Sequence, residues 1–368
     1  MRPVPVLVLG LLTLLLGAPS LVSAQVAYPP APAVSAEGDF AGLVDIRGGR
    51  RLWLECRGQG SPTVVLEAGF RSRADYWTND LIQPDAPRTM VFAGVSAFTR
   101  VCAYDRPGTT TVPDGTLLPS RSDPVAMPRT ALESVHDLHA LLQAATVPGP
   151  YVLVGHSYGG MLARLYASTY PTEIVGMVLV DAFSEGLEDQ MTPDQWAAYE
   201  GLFQPVPEAL AGYQDLEFTD LDTSTSQVRE ATAASPLQPL PLVVLSRGQA
   251  MAMPADLPGG LTGEGLDQAW TVEQDRLAAL LPDARHLIAQ ESEHYIQLQQ
   301  PDLVIAAVRE VVEAVRDPAS WQRQSQAPSP RLDRAKKRSV PMPQVPGVGL
   351  ARSRIGAVER YLRFERIP

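Results

Sequence analysis

Cysteine is nearly absent from this chain: Cys56 and Cys102 are the only two in 368 residues. They do not form a pair at zinc-binding spacing, no H-E-x-x-H is present, and no phosphate-binding loop occurs, so neither a metal nor a cofactor is implied. Histidine is scarce as well, with five in all. That restricts any imidazole base to His136, His139, His156, His286 or His294. Internal repeats are missing. Beyond the N-terminus no apolar run approaches the roughly 20 residues that a spanning helix requires.

At the N-terminus, Arg2 precedes an apolar stretch from Val4 to Leu16 that is interrupted by Pro5, Gly10 and Thr13. Small residues follow in "LVSA". This order reads as a secretory signal over residues 1–24, cut after Ala24, with an uncleaved anchor as the alternative. The expected location is therefore secreted or extracytoplasmic, where thiols oxidise. A single disulfide or two buried thiols both fit the spacing of the two cysteines.

Charge is unevenly spread over a chain whose net value is −11. From Trp321 onward there are eleven Lys and Arg against three acids, so a basic tail hangs on an acidic domain. The proline-rich tail, residues 319–368, is expected to be irregular and at most weakly associated with anionic surfaces. Residues 25–38 read as a proline- and alanine-rich linker. Apolar residues make up 45% of the chain, ample for a domain over 39–318.

Within that domain, "LVDI" and "RLWLECR" flank a glycine turn at hairpin spacing. "TVVLEAG", "TRVCAYDRPG", "YVLVGHS", "IVGMVLVD", "PLVVLSRG" and "ARHLIAQES" are short unalternating apolar runs, the mark of strands buried on both faces. "PRTALESVHDLHALLQAA", "YGGMLARLYASTYP", "TVEQDRLAALL" and "DLVIAAVREVVEAVRD" carry helical spacing and fall between or after them. Alternation of this kind gives an α/β fold, a mostly parallel eight-stranded sheet with helices on both faces. Between about residues 183 and 240 the pattern changes, with Trp196, Tyr199, Phe203 and Tyr213 among prolines and acids. This segment reads as a helical insertion above the sheet.

The stretch "GHSYGG", Gly155 to Gly160, stands between a strand and a helix. A serine hydroxyl needs a base and an exposed position to act as a nucleophile, and a tight strand-to-helix turn supplies the exposure if small residues stand two positions either side. Gly155 and Gly159 occupy those positions around Ser157. His294, on the loop after the last strand, sits at the C-terminal sheet edge and is the expected base. His136 and His139 fall on the polar face of a helix, and His286 within a strand. For the carboxylate partner of the base, Asp181 follows "VGMVLV", while Asp256, Glu264 and Asp267 follow "PLVVLSRG". Donors to a developing oxyanion are expected from the backbone N–H groups of Tyr158 and Phe70, with Gly69 allowing close approach.

In these residues the chain resembles the α/β-hydrolase family from about Gly42 to Asp317. "LEAGF" resembles the oxyanion turn, "YDRPG" the segment after the next strand, "GHSYGG" the nucleophile turn and "SEHYIQLQQP" the histidine loop. The resemblance implies an α/β-hydrolase fold whose insertion is a cap over the pocket. It implies a triad of Ser157, His294 and Asp181, although many members carry the acid after the strand matching "VVLSR". It also places the strands of Cys56 and Cys102 side by side, making a bridge between them expected. The expected activity is cleavage of small-molecule carboxylic esters through an acyl-enzyme, without nucleic acid. Amide or peptide hydrolysis and a non-catalytic binding protein on the same scaffold are the alternatives.

Overall fold

The computed structural model describes residues 38–113, 116–202, 213, 215–251, 253 and 257–325, all within the unit 33–368. The expected signal, nearly all of the linker, most of the basic tail, Phe203 and Asp256 lie outside the described residues. Ten strands and ten α-helices are found there. The strands are β1 Phe40–Asp45, β2 Arg51–Arg57, β3 Thr63–Glu67, β4 Val101–Tyr104, β5 Thr110–Thr111, β6 Leu118–Pro119, β7 Tyr151–His156, β8 Ile174–Val180, β9 Leu242–Arg247 and β10 Arg285–Ala289. The helices are α1 Asp75–Thr78, α2 Val91–Ser96, α3 Ala131–Ala144, α4 Tyr158–Thr169, α5 Pro193–Gly201, α6 Leu221–Ala234, α7 Gly263–Ala278, α8 Ile296–Gln299, α9 Pro301–Arg316 and α10 Pro318–Ser325.

Eight strands form one sheet in the order β1-β2-β4-β3-β7-β8-β9-β10. The hairpin β1–β2 and the pair β2–β4 are antiparallel, and every other neighbouring pair is parallel. The unalternating runs now have a cause. Along β3, Val64 and Leu66 enter one apolar layer with α2 and α9, whereas Val65 enters the other with α3 and α4. A strand covered by helices on both faces has no polar side to show.

Cys56 and Cys102 face each other across β2 and β4 and form a disulfide, both fully buried. The insertion contains a 3-10 turn over Glu185–Gln190 and the helices α5 and α6. Three segments differ from the sequence expectation. Helix α7 begins at Gly263, two turns before the expected Thr271, because Thr262 caps it and Leu266, Ala269 and Trp270 bury its first turns. Glu264 and Asp267 are therefore helical residues rather than loop residues. The tail, expected to be irregular from residue 319, starts as α10, with Trp321 buried in the α9 layer and Arg285 over its ring at 3.9 Å. Finally, the stretch after β3 holds α1 and α2, which the sequence pattern did not reveal.

Candidate active site

The turn between β7 and α4 puts Ser157 at φ 52° and ψ −125°, a backbone region that costs a non-glycine residue free energy. Neighbouring backbone holds it there: Ser157 N–H donates to Val180 O at 3.1 Å, and Phe183 N–H donates to Ser157 O at 2.9 Å. The glycines are required by contact. A Cβ on Gly159 would stand 2.5 Å from Ala68 O and would also collide with Glu67 O, and one on Gly155 would stand 2.6 Å from Gly160 Cα. A strand, a turn and a helix meet here too closely for side chains, and the serine is turned outward.

Asp181, the first residue beyond β8, is also at positive φ, 40°, and fully buried. Its Oδ2 receives two short hydrogen bonds, one with His294 Nδ1 at 2.6 Å and one from Arg247 Nη1 at 2.7 Å. Its Oδ1 accepts from Arg247 N–H at 3.2 Å. Burial would raise this carboxyl, but the Arg247 guanidinium and His294 outweigh it and hold the group down at about 2. Asp181 is thus an anion at neutral pH, aimed at the imidazole. The second carboxylate on Arg247 is that of Asp267, at 2.7 Å and 3.1 Å.

His294 lies on the loop between β10 and α8, 13% exposed at its side chain. Its backbone is tied to the nucleophile turn, since His156 Nε2–H donates to His294 O at 2.9 Å and the two rings are 4.7 Å apart. Burial, together with the nearby His294, pushes His156 down to about 3. His156 is therefore a neutral donor that fastens the loop. The remaining histidines are elsewhere: His136 is exposed on α3, His139 pairs with Glu173 and stacks on Tyr170, and His286 bonds Ser246 Oγ at 2.7 Å from β10.

Ser157, Tyr158 and Phe70 share one cleft, which encloses about 530 Å³ of space partly open to solvent. Its outer wall comes from the insertion: Phe183, Tyr199, Glu200, Phe218, Thr219 and Leu221. Glu200 is raised above the ordinary carboxylate range by burial and by Asp222. Gly69 stands between the turns, where an added Cβ would be 3.3 Å from Ser157 Cβ and 2.8 Å from His156 Nδ1.

Of the sequence candidates, the structure brings Asp181 to His294, and groups Ser157 with Phe70 and Tyr158. Asp267 is taken up by Arg247, Glu264 meets Gln268, and Asp256 is outside the described residues. Sequence reading missed the charged residues around the site, namely Arg247, Arg106, Glu67 and Glu217. Arg106 stood inside "YDRPG" and Glu67 inside "LEAGF", and an arginine or glutamate in a run of buried residues was the available signal. Among the described residues, no cluster of three or more His, Cys, Asp or Glu is placed to hold a metal ion.

Comparisons with known proteins agree with this architecture. The chain is 26% identical over 255 residues to the uncharacterized protein YqjL of Bacillus subtilis, covering 69% of this chain and 85% of that one. It is 32% identical over 181 residues to a probable transporter, efuK, of Hormonema carpetanum, covering 47% of this chain but only 23% of that much longer protein. Among solved structures, alpha/beta hydrolase domain-containing protein 10 from mouse matches with a TM-score of 0.50 at 14% identity, over 75% of this chain and 99% of the other. The profile of the alpha/beta hydrolase family matches residues 64–349. On that match, which spans most of its length, the chain belongs to the alpha/beta hydrolase family.

Proposed function

We propose that this protein is a secreted serine hydrolase that cleaves carboxylic esters. The observation that carries the reading is the 2.6 Å contact of His294 Nδ1 with the ionised Asp181, on a loop fastened through His156 to the strained turn that carries Ser157 into a cleft. An imidazole that donates from Nδ1 to a carboxylate keeps Nε2 free to accept a proton. In the proposed reaction, Ser157 Oγ attacks the ester carbonyl while His294 takes its proton. The imidazolium is stabilised by Asp181 and returns the proton to the leaving alcohol. Water then attacks the acyl-enzyme by the same route, releasing the acid and freeing Ser157. The N–H groups of Phe70 and Tyr158 are the proposed donors to the oxyanion of each tetrahedral intermediate.

The rings of Phe70, Phe183, Tyr199 and Phe218 around the cleft favour an apolar acyl or alcohol group. The buried disulfide is consistent with an oxidising compartment. A fluorophosphonate probe should label the wild-type protein at Ser157, and Ser157→Ala should lose both labelling and turnover of p-nitrophenyl esters while remaining folded. Equal turnover by the Ser157→Ala protein would remove the mechanism. Aminoacyl anilides tested beside the esters separate esterase from amidase. A protein that neither labels nor turns over any of them would be a binding protein on this scaffold.

A further inference from the structure

Arg71, next to the expected oxyanion donor Phe70, is a non-glycine residue at φ 57°. Such a conformation persists only where its surroundings fix it. Two groups do so. Arg106, buried beyond β4, donates from Nη1 to Ala68 O at 2.7 Å and from Nη2 to Gly69 O at 2.6 Å. In a trans peptide the C=O and N–H point opposite ways, so pulling the Gly69 carbonyl toward Arg106 turns the Phe70 N–H the other way.

The second group is Glu217, which belongs to the insertion and is 5% exposed. Its Oε2 accepts from Arg71 N–H at 2.5 Å and from Arg106 Nη2 at 3.1 Å, and its Oε1 accepts from Arg106 Nε at 2.6 Å. Glu217 N–H donates to Gly108 O at 2.8 Å, and Glu217 O accepts from Arg71 Nε at 3.1 Å. Glu67 closes the far side of Arg106, itself bonded by Tyr104 at 2.5 Å. Both oxygens of the Glu217 carboxylate are therefore spent on the peptide planes either side of Phe70, directly or through Arg106. The next two residues, Phe218 and Thr219, line the cleft.

We propose that Glu217 is a positioning residue that carries the oxyanion turn on the insertion, so that the wall of the pocket and the aim of the Phe70 N–H are set by one segment. This rests on the serine-hydrolase reading above. A displaced donor weakens binding to the tetrahedral oxyanion and leaves ground-state binding alone. Glu217→Gln keeps the size of the side chain but presents an amide N–H₂ to Arg106 or Arg71. Glu217→Asp keeps the charge that Arg106 requires but is one methylene too short to hold both partners, and it serves where Glu217→Gln does not fold.

Steady-state kinetics on a p-nitrophenyl ester, with the inhibition constant of an alkyl boronic acid measured in parallel, test the proposal. The boronate adduct on Ser157 is tetrahedral and anionic, like the intermediate. Expected for either folded variant is a fall in kcat of about 10- to 100-fold with KM within about twofold, and weakening of the boronic acid by the same factor as kcat. A kcat equal to wild type, a change confined to KM, or a lower kcat with unchanged boronate affinity would overturn it. If the wild-type protein itself neither turns over esters nor takes the fluorophosphonate probe, the serine-hydrolase reading has failed. A wild type that does both, with Glu217 variants that match it, sinks the positioning role alone.

Discussion

Asp181→Asn replaces a fully buried carboxylate by an amide of the same shape, and the surrounding donors decide which way the amide sits. Asparagine tolerates positive φ, so the backbone at 40° is retained. With the amide oxygen at the Oδ2 position, the bonds with His294 at 2.6 Å and from Arg247 Nη1 at 2.7 Å survive, and the amide N–H₂ confronts Arg247 N–H, now 3.2 Å from Oδ1. With the amide reversed, both short bonds are lost and His294 must accept at Nδ1, which protonates Nε2 and removes the base. The first orientation sacrifices only the longest contact and is preferred. What it loses is the charge that stabilises the imidazolium, worth about 4 kcal/mol for unit charges roughly 4 Å apart at an effective dielectric constant of about 20, or about 10³ in rate. A population of the reversed amide pushes the loss toward about 10⁴.

The assay is kcat on a p-nitrophenyl ester, with urea unfolding to show that the protein remains folded. Stability should fall by only about 2 kcal/mol. That magnitude comes from a carboxyl lowered from near 3.8 to about 2, and Arg247 keeps its bonds to Asp267. The sign is that of a depressed acid. The stabilisation is complete above pH 4 and disappears as pH falls through about 2, so the difference between variant and wild type should vanish there. A folded Asp181→Asn enzyme within tenfold of wild-type kcat would refute the role of Asp181. Asp256→Asn and Asp267→Asn are expected to be within a few-fold of wild type; a large loss in either, with Asp181→Asn active, would move the acid to the later segment.

Joining Cys56 to Cys102 closes a loop with a sequence separation of 46, for which the chain-entropy relation gives about 4 kcal/mol. The Cys56→Ala/Cys102→Ala protein should unfold at correspondingly lower denaturant, and a loss under about 1 kcal/mol would contradict that account. His294→Ala should abolish turnover without unfolding the protein. By contrast, His286→Ala, which removes a 2.7 Å bond to Ser246 and touches no residue that lines the cleft, should change stability by about 1 kcal/mol and spare kcat. Reversal of those two outcomes would show the histidine loop to be misread.

The sheet was legible because its inner strands are uniform apolar runs with no competing interpretation, and because the glycines around Ser157 answer a steric demand visible in one dimension. Short elements were not. Helix α1 has four residues and α2 six, too few to display a helical period. The first turns of α7 contain Gly263 and Gly265, whose low propensity concealed a helix held by burial of Leu266 and Trp270. The ionic cluster was invisible for another reason: Arg106 and Glu217 are 111 residues apart, and Arg71 and Glu217 are 146 apart. Their pairing exists only once the insertion has been laid over the sheet.

Arg247 ends β9, the strand after which the resemblance offered the alternative place for the acid, and its guanidinium already spans Asp181 and Asp267. A carboxylate introduced there by Arg247→Asp would delete the cation shared by two anions and set a third anion beside them, so it cannot simply take over from Asp181. Moving the acid from one strand to the next requires at least two coordinated substitutions, and each single step fails for its own reason: Arg247→Asp alone crowds carboxylates together without their shared cation, and Asp181→Asn alone leaves His294 without an anionic partner while Arg247 stays on Asp267. The guanidinium in this respect pins the acid to the end of β8, because no single substitution at the end of β9 can supply a replacement.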